Sequence, residues 1–192
     1  MKIAIIGATG NAGQRLVDEA VNRGHQVTGI SRHGAGQAAR KGVTWVSADI
    51  NDPAAMAAKV AGHDAAILSM PFNGLDFDKV LATAKAAGTR LLIVGGAASL
   101  DATPGVVLLD TPDFPDFIKP EAEPARQALN RLKAGVDFEW TFLSPSMMFG
   151  PGERTGKFRL GKDLLLTADD GKSSISYEDF AVAMIDEIEK PK

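Results

Sequence analysis

Residues 1–13 read Met-Lys-Ile-Ala-Ile-Ile-Gly-Ala-Thr-Gly-Asn-Ala-Gly. The apolar run at residues 3–6 is typical of a buried strand, and the residues after Gly13 carry apolar side chains at helical spacing. Three glycines, Gly7, Gly10 and Gly13, lie between strand and helix. At this spacing the first glycine adopts backbone angles closed to other residues, the second lets a pyrophosphate approach the main chain, and the third brings helix against strand. Because the glycines follow a strand and open a helix, they favour a dinucleotide-binding turn over a loop that only packs closely.

The composition limits the size of the protein and its possible partners. With 192 residues, 45% apolar and 23% charged, the sequence predicts one soluble α/β domain over residues 1–192, with substrate-binding parts built from loops. The formal net charge is -3 and there is no run of Lys or Arg, so we expect no nucleic-acid partner. No stretch approaches the roughly 20 apolar residues that cross a bilayer, so we expect no membrane association.

Neither disulfides nor a metal site are expected. The sequence contains no cysteine, which suits a cytoplasmic location. The three histidines, His25, His33 and His63, fall in predicted connections and never at the spacing that places two on one helix face.

Apolar runs and helical patterns alternate along the chain. Strands are predicted at residues 3–6, 26–30, 43–46, 65–69, 90–94 and 139–144, with short strands at 157–160, 164–166 and 174–176. Helices are predicted at residues 14–23, 53–62, 77–87, 121–133 and 177–190. This alternation predicts a Rossmann-like, doubly wound parallel sheet with helices on both faces, forming a single domain with a small C-terminal substrate appendage.

The end of the second strand predicts which dinucleotide is bound. The sequence there is Ser31-Arg32-His33, with no carboxylate. An acidic residue at this position would bind the ribose 2′-hydroxyl of NAD, whereas an arginine accommodates the 2′-phosphate of NADP. We therefore predict NADP, held by Arg32 with Ser31 beside it, over NAD; the alternative is a solvated loop arginine. Asp49, after the third strand, is predicted either to contact the adenine amino group of the cofactor or to stabilise the local turn.

Two long segments are predicted to act as lids or substrate loops. The first covers about residues 99–119 and is rich in proline, and the second covers about residues 145–173. Cofactor contacts are also expected where strands end, at Met70-Pro71 and at Ser144-Pro145-Ser146, because open α/β sheets bind ligands at the carboxyl ends of their strands.

Five segments together resemble the atypical short-chain dehydrogenase/reductase superfamily. They are residues 7–13 (Gly-Ala-Thr-Gly-Asn-Ala-Gly), 95–100 (Gly-Gly-Ala-Ala-Ser-Leu), 143–146 (Leu-Ser-Pro-Ser), 150–156 (Gly-Pro-Gly-Glu-Arg-Thr-Gly) and 175–181 (Ile-Ser-Tyr-Glu-Asp-Phe-Ala). The chain looks most like small bacterial NAD(P)H-binding proteins of the NADH-flavin reductase type, which are relatives of biliverdin IXβ/flavin reductase and of NmrA-like proteins. The resemblance implies a pyrophosphate site at Gly7, Thr9, Gly10, Asn11 and Ala12, a 2′-phosphate site at Arg32, and a nicotinamide site at Met70, Pro71, Ser99, Ser144, Pro145 and Ser146.

Two departures from the superfamily pattern are visible. The usual catalytic pair is a tyrosine with a lysine four residues later, but Tyr177, the one tyrosine, is followed at that distance by Ala181. Relatives also continue from the final helix into a closing strand, whereas this chain ends at residue 192; we expect either that the strand is dispensable or that the sequence is trimmed.

Reduction of a flavin does not require the tyrosine–lysine pair, because the second proton can come from water and the protein mainly supplies stacking and orientation. The expected activity is an NADPH-dependent reductase acting on FMN, FAD or a similar planar acceptor, such as a quinone or a biliverdin-like compound. The alternative is a non-catalytic NADP(H)-sensing regulator of the NmrA type. We expect a monomer or a homodimer.

The acceptor pocket is predicted from apolar side chains of the two loops. Its candidate walls are Phe114, Phe117, Met147, Met148 and Phe149, although side chains of these types lie more often in the core than on a pocket wall.

Two polar residues are also candidates for the acceptor site. Ser99 is predicted to bond the nicotinamide or the acceptor, as a tentative catalytic residue, or else to satisfy its own turn. Arg154 is predicted to meet a flavin phosphate or an acidic substrate, or else to pair in solvent near Glu153.

Overall fold

The computed structural model describes residues 1–191. The strands are β1 (Lys2–Ile6), β2 (Gln26–Ser31), β3 (Val43–Ser47), β4 (Ala65–Leu68), β5 (Arg90–Val94), β6 (Asp101–Thr103), β7 (Val106–Val107), β8 (Trp140–Leu143), β9 (Met148–Gly150) and β10 (Ser174–Ser176). The helices are α1 (Asn11–Asn22), α2 (Pro53–Val60), α3 (Phe77–Ala87), α4 (Lys119–Lys133) and α5 (Tyr177–Glu189). The expectation about the end of the chain at residue 192 falls outside the described residues.

Six strands form the central sheet in the order β3-β2-β1-β4-β5-β8, and every neighbouring pair is parallel. The strand order reverses between β1 and β4, and in open α/β sheets the crevice at such a reversal is where ligands bind. This arrangement confirms the predicted Rossmann-like, doubly wound sheet.

Alternating side chains of β1 separate two hydrophobic cores. Ile3 and Ile5 pack with α1 and α5 on one face, while Ala4 and Ile6 pack with α2, α3 and α4 on the other. All four side chains are at most 3% exposed. A strand buried on both faces is continuous in apolar residues, which is the pattern that residues 3–6 show.

The structure corrects the sequence prediction in the second loop. Residues 157–160 and 164–166 are not strands, and Leu164 forms only an isolated bridge with Asp101. That bridge consists of two hydrogen bonds at Asp101, whose N–H donates to Asp163 O and whose carbonyl oxygen accepts from Leu165 N.

Three strands lie where loops are predicted. β6 pairs with β7 as an antiparallel hairpin in the first loop, and β9 pairs with β10 in parallel. The helix α4 also begins two residues before its predicted start, so that Pro120 lies in the helix together with Pro124. Pro120 falls in the first turn, where an N–H has no intrahelical partner to lose, whereas Pro124 lies inside the helix.

Candidate active site

The glycine turn at the end of β1 is fixed by close backbone contacts. Gly7 has φ +83°, and a Cβ atom there would lie 2.0 Å from the carbonyl oxygen of Ser69. A Cβ at Gly13 would lie 2.1 Å from the carbonyl oxygen of Gly7. Gly10 is less restricted, because its nearest such contact is 3.3 Å. The first and third glycines therefore serve the turn and the helix packing, and Gly10 leaves main chain open to the cleft.

The N-terminus of α1 is not capped by a side chain. Its N-cap is Gly10, and the first turn contains no acidic residue. In contrast, the helices α2, α3 and α5 are each capped by a side chain, from Asp52, Asp76 and Ser176 respectively. The Asp52 cap is followed by Pro53 at the start of the helix, as the predicted helix at residues 53–62 requires. The first-turn N–H groups of α1 and the positive end of its dipole are thus available to an anion.

A cavity of about 430 Å³ lies beside this turn, between the ends of β1, β2 and β4; we call it the arginine cavity. Its lining includes Thr9, Ser31, Arg32 and Asp49. Arg32 is exposed and makes no hydrogen bond or ion pair with any of residues 1–191. Every other arginine in that range donates to an acceptor of the chain. The guanidinium of Arg32 is therefore free to bind a ligand.

Asp49 has a local structural role. Its Oδ1 accepts hydrogen bonds from the backbone N–H of Asn51 at 2.9 Å and from the Asn51 Nδ2 at 3.0 Å. This is the turn role considered in the sequence analysis, and contact with an adenine stays a prediction.

A second cavity, of about 910 Å³, continues from the first; we call it the apolar cavity. The two cavities share the lining residues Gly10, Ser69, Met70 and Pro71. Several predicted site residues line the apolar cavity: Asn11, Ala12, Met70, Pro71, Phe114, Pro145, Ser146, Met147 and Phe149. The turn, the strand ends and parts of both predicted loops therefore converge on one space.

One carboxylate fixes the loop after β4 against the start of α4. Glu121 accepts hydrogen bonds from the backbone N–H groups of Phe72, at 2.7 Å, and Asn73, at 2.8 Å. Because both oxygens bind adjacent N–H groups, this wall of the apolar cavity is held in place.

Tyr177 also lines the apolar cavity, which the sequence analysis did not predict. Its ring meets that of Phe149 edge to face, with centroids 4.5 Å apart. The pairing of β9 with β10 creates this contact, because Phe149 pairs with Ile175 just before α5 begins. The signal in the sequence was the Ser-x-x-Asp capping pattern at Ser176, which places Tyr177 in the first turn of a helix.

Two predicted pocket residues lie elsewhere. The side chain of Phe117 is 84% exposed and that of Met148 is 66% exposed, and neither lines the apolar cavity. Met148 precedes Phe149 in β9, and successive side chains of a strand point to opposite faces. Phe117 lies in a short 3-10 turn, Asp116–Ile118. Pro115, just before this turn, and Ile118, its last residue, line the cavity instead.

The hydroxyl of Ser99 has a partner within its own turn. Ser99 Oγ donates to the carbonyl oxygen of Gly96 at 2.9 Å and lies 3.4 Å from Ser144 Oγ. Both serines line a smaller cavity of about 150 Å³ and do not line the apolar cavity. This geometry matches the turn role of Ser99, and the structure brings neither hydroxyl to the acceptor space.

The structure also corrects the prediction for Arg154, which binds a buried carboxylate away from the apolar cavity. Its Nε and Nη2 donate to the two oxygens of Glu19, at 2.7 and 2.8 Å. The Glu19 carboxylate is 3% exposed and also accepts from Arg23 Nε at 2.7 Å. The hydrogen bonds from Arg154 and Arg23 lower the pKa of Glu19 against the opposing effect of burial.

Replacing the Glu19 carboxylate should destabilise the protein and make its free energy of unfolding depend less on pH in the acid range. We expect Glu19→Gln to reduce the free energy of unfolding by about 2 kcal/mol near neutral pH, because it leaves Arg154 without a counter-charge and removes one of the three carboxylates that Arg23 binds. The folded-state pKa of Glu19 is lowered, so its stabilising effect is complete above the unfolded-state pKa and is lost as pH falls through the folded value. Urea unfolding from roughly pH 5 to pH 3 measures this loss in the wild type.

The neighbouring Asp18 offers a matched control. Its side chain is 50% exposed and pairs with Arg40 on the surface. We expect Asp18→Asn to change stability by less than about 1 kcal/mol. An equal effect of the two substitutions would contradict the anchoring role of Glu19.

Residues 1–191 contain neither a membrane-spanning helix nor a metal-binding cluster. No helix in that range has the length and apolar character needed to cross a membrane. The same residues contain no group of three or more His, Cys, Asp or Glu side chains placed to hold a metal ion.

Comparison with known proteins identifies the family. The model of the NAD(P)H-binding family matches residues 7–191, and the chain belongs to this family. Its fold is the Rossmann-like, oxidoreductase-like fold of the atypical short-chain dehydrogenase/reductase kind.

Similar proteins cover the whole chain. The uncharacterized protein YwnB of Bacillus subtilis (strain 168) is 38% identical, over 100% of this chain and 94% of the relative. A "putative epimerase" from Bacteroides thetaiotaomicron is 38% identical with a TM-score of 0.92, over 100% of this chain and 92% of that one. A "putative NADH-flavin reductase" from Streptococcus pneumoniae TIGR4 is 34% identical with a TM-score of 0.85, over 100% and 94% of the two chains.

Proposed function

We propose that the protein is an NADPH-dependent reductase that passes a hydride to a free flavin or to a similar planar acceptor, such as a quinone or a biliverdin-like compound. The observation that carries this proposal is the apolar cavity, which opens directly from the glycine turn along a shared wall. Its volume of about 910 Å³ is within the range of small-molecule sites. The similarity to the Streptococcus pneumoniae protein described as a "putative NADH-flavin reductase" supports the same choice of acceptor. The lack of cysteine favours the cytoplasm as the location.

The residues present fit an NADP(H) molecule. The uncapped first turn of α1 would bind the pyrophosphate at Gly10, Asn11 and Ala12. The unpaired Arg32 would bind the 2′-phosphate, with Ser31 beside it. When bound, NADPH supplies a hydride, which carries two electrons and one proton. The cofactor is left as NADP⁺.

The chain's own residues orient the reactants. Phe149 and Tyr177 form one aromatic wall of the apolar cavity, and Glu121 holds the opposite loop through Phe72 and Asn73. A planar acceptor between these walls would be held face-on to the reacting ring, which is the main contribution to rate when the cofactor carries the chemistry. The second proton comes from water.

Consumption of NADPH measures the proposed activity directly. We expect NADPH absorbance to fall under anaerobic conditions when FMN, FAD, riboflavin or a quinone is added to the protein. Tight binding of NADPH with no turnover of any of these acceptors would sink the proposal. That result would favour the non-catalytic NADP(H)-sensing regulator.

The position of Tyr177 makes a specific prediction about proton transfer. Residue 181, where the superfamily's lysine would lie, is a buried alanine, and no Lys, Arg or His of residues 1–191 lines the apolar cavity. Tyr177→Phe should therefore lower kcat by less than about threefold, whereas loss of a true general acid costs about 10²-fold or more. Tyr177→Ala removes the aromatic wall and should raise KM about tenfold. A loss of 10²-fold in kcat for Tyr177→Phe would show that the tyrosine donates the proton.

A further inference from the structure

The charge distribution around the apolar cavity bears on which acceptors fit it. Among residues 1–191, the charged residues that line this cavity are Asp113 and Glu121, and both are acidic. The Glu121 carboxylate is occupied by two backbone N–H groups. The Asp113 carboxylate is exposed and has no hydrogen bond or ion pair with any described residue. Its negative charge is therefore not compensated within the chain.

Cationic side chains beside the cavity walls already have carboxylate partners, including Arg15, whose guanidinium lies 6.0 Å from the ring centroid of Tyr177. Arg15 binds Glu178 at 3.0 Å, and Lys119 binds Asp116 at 2.6 Å. Arg154, the cation that the sequence suggested for a flavin phosphate, binds Glu19. Within residues 1–191, no basic side chain of the cavity lining is left to receive an anion at the acceptor end.

The helix N-termini around the cavity do not supply an anion site either. The first turn of α4 contains Glu121, and the first turn of α5 contains Glu178 and Asp179. These carboxylates offset the positive ends of the two helix dipoles. The first turn of α1 is the pyrophosphate site of the proposed function, and a bound pyrophosphate would add more negative charge beside the cavity.

We infer that the acceptor is an unphosphorylated flavin, a neutral isoalloxazine such as riboflavin, and that Asp113 discriminates against FMN and FAD. This inference rests on the proposed function, since it concerns the acceptor of the same site. A phosphate within several ångströms of the Asp113 carboxylate is repelled, and because this carboxylate is exposed and screened by solvent, we expect the repulsion to weaken binding by about tenfold. The isoalloxazine ring itself is uncharged and packs against the apolar walls, so it meets no such repulsion.

Flavin fluorescence quenching tests this inference without relying on turnover. Riboflavin and FMN carry the same ring, so their dissociation constants from the NADP⁺-saturated protein differ through the phosphate. We expect riboflavin to bind about tenfold more tightly than FMN, with a gap that narrows as salt is raised. Asp113→Lys should shift the ratio of the two constants toward FMN by about tenfold or more.

Asp116, which pairs with Lys119, provides a control for charge reversal at a position outside the apolar cavity. It lies three residues further along the same loop, is exposed, and does not line the apolar cavity. We expect Asp116→Lys to leave the riboflavin-to-FMN ratio within about twofold of the wild type, because solvent and salt screen charges outside the cavity. An equal shift from both substitutions would show a general surface-charge effect and would overturn the role of Asp113.

The binding and turnover results separate this inference from the proposed function. FMN binding as tightly as riboflavin, or failure of both to bind, would overturn the inference even if NADPH were oxidised by another acceptor. Selective riboflavin binding without NADPH oxidation would support the inference about the ligand and would sink the proposed reduction.

Discussion

Arg32→Asp should weaken NADPH binding by about a hundredfold or more while changing NADH binding by less than about threefold. The guanidinium of Arg32 is exposed in the arginine cavity and has no partner among residues 1–191, so a 2′-phosphate would gain a charge-assisted contact that NADH cannot make. The substituted carboxylate would in addition repel the 2′-phosphate. Calorimetric titration of both cofactors measures the two constants.

Arg40 offers the same charge change outside the arginine cavity. It pairs with Asp18 on the surface, and it does not line the cavity. We expect Arg40→Asp to preserve the preference for NADPH over NADH within about threefold. An unchanged preference in Arg32→Asp, or an equal loss in both variants, would remove the assignment of the 2′-phosphate to Arg32.

The second large effect is expected at the glycine turn itself. Gly7→Ala should lower the free energy of unfolding by about 4 kcal/mol or prevent folding, because the new Cβ would lie 2.0 Å from the Ser69 carbonyl oxygen at φ +83°. The contact is with the backbone just after β4, so relieving it requires a shift of the carboxyl end of this strand, which borders the cleft.

A substitution at Gly24 distinguishes backbone strain at positive φ from the steric contact of the new Cβ. It has φ +82°, and no atom lies within 4 Å of the place that a Cβ would occupy, so Gly24→Ala adds backbone strain alone. We expect Gly24→Ala to cost about 1 kcal/mol, measured by urea unfolding alongside Gly7→Ala. Equal costs for the two substitutions would contradict the close approach of β1 and β4 at the turn.

The sequence predicts best the elements whose signals are local. The helix α3 and the strand β5 have their predicted bounds, because Gly88 ends the helix in a left-handed conformation and an uninterrupted apolar run follows. The glycine turn is predictable for the same reason, since strand, glycines and helix are consecutive in the chain. The cofactor half of the candidate site is built mainly from such local pieces.

The acceptor half depends on contacts between distant residues. Arg154 was considered beside Glu153, yet its partner is Glu19, which is 135 residues away in the chain. Tyr177 reaches the cavity only because β9 pairs with β10 across an irregular segment. Periodicity does not show which aromatic residue of a loop turns inward, so Phe114 and Phe117 looked alike although only Phe114 lines the cavity.

A crystal structure of the protein with NADP⁺ and riboflavin tests the central claim most directly. We predict the 2′-phosphate on Arg32, the pyrophosphate on the first-turn N–H groups of α1, and the nicotinamide in the apolar cavity beside Met70 and Pro71. The flavin ring would stack on the nicotinamide against Phe149 and Tyr177. A nicotinamide lying outside the apolar cavity, or a flavin bound away from it, would contradict the account.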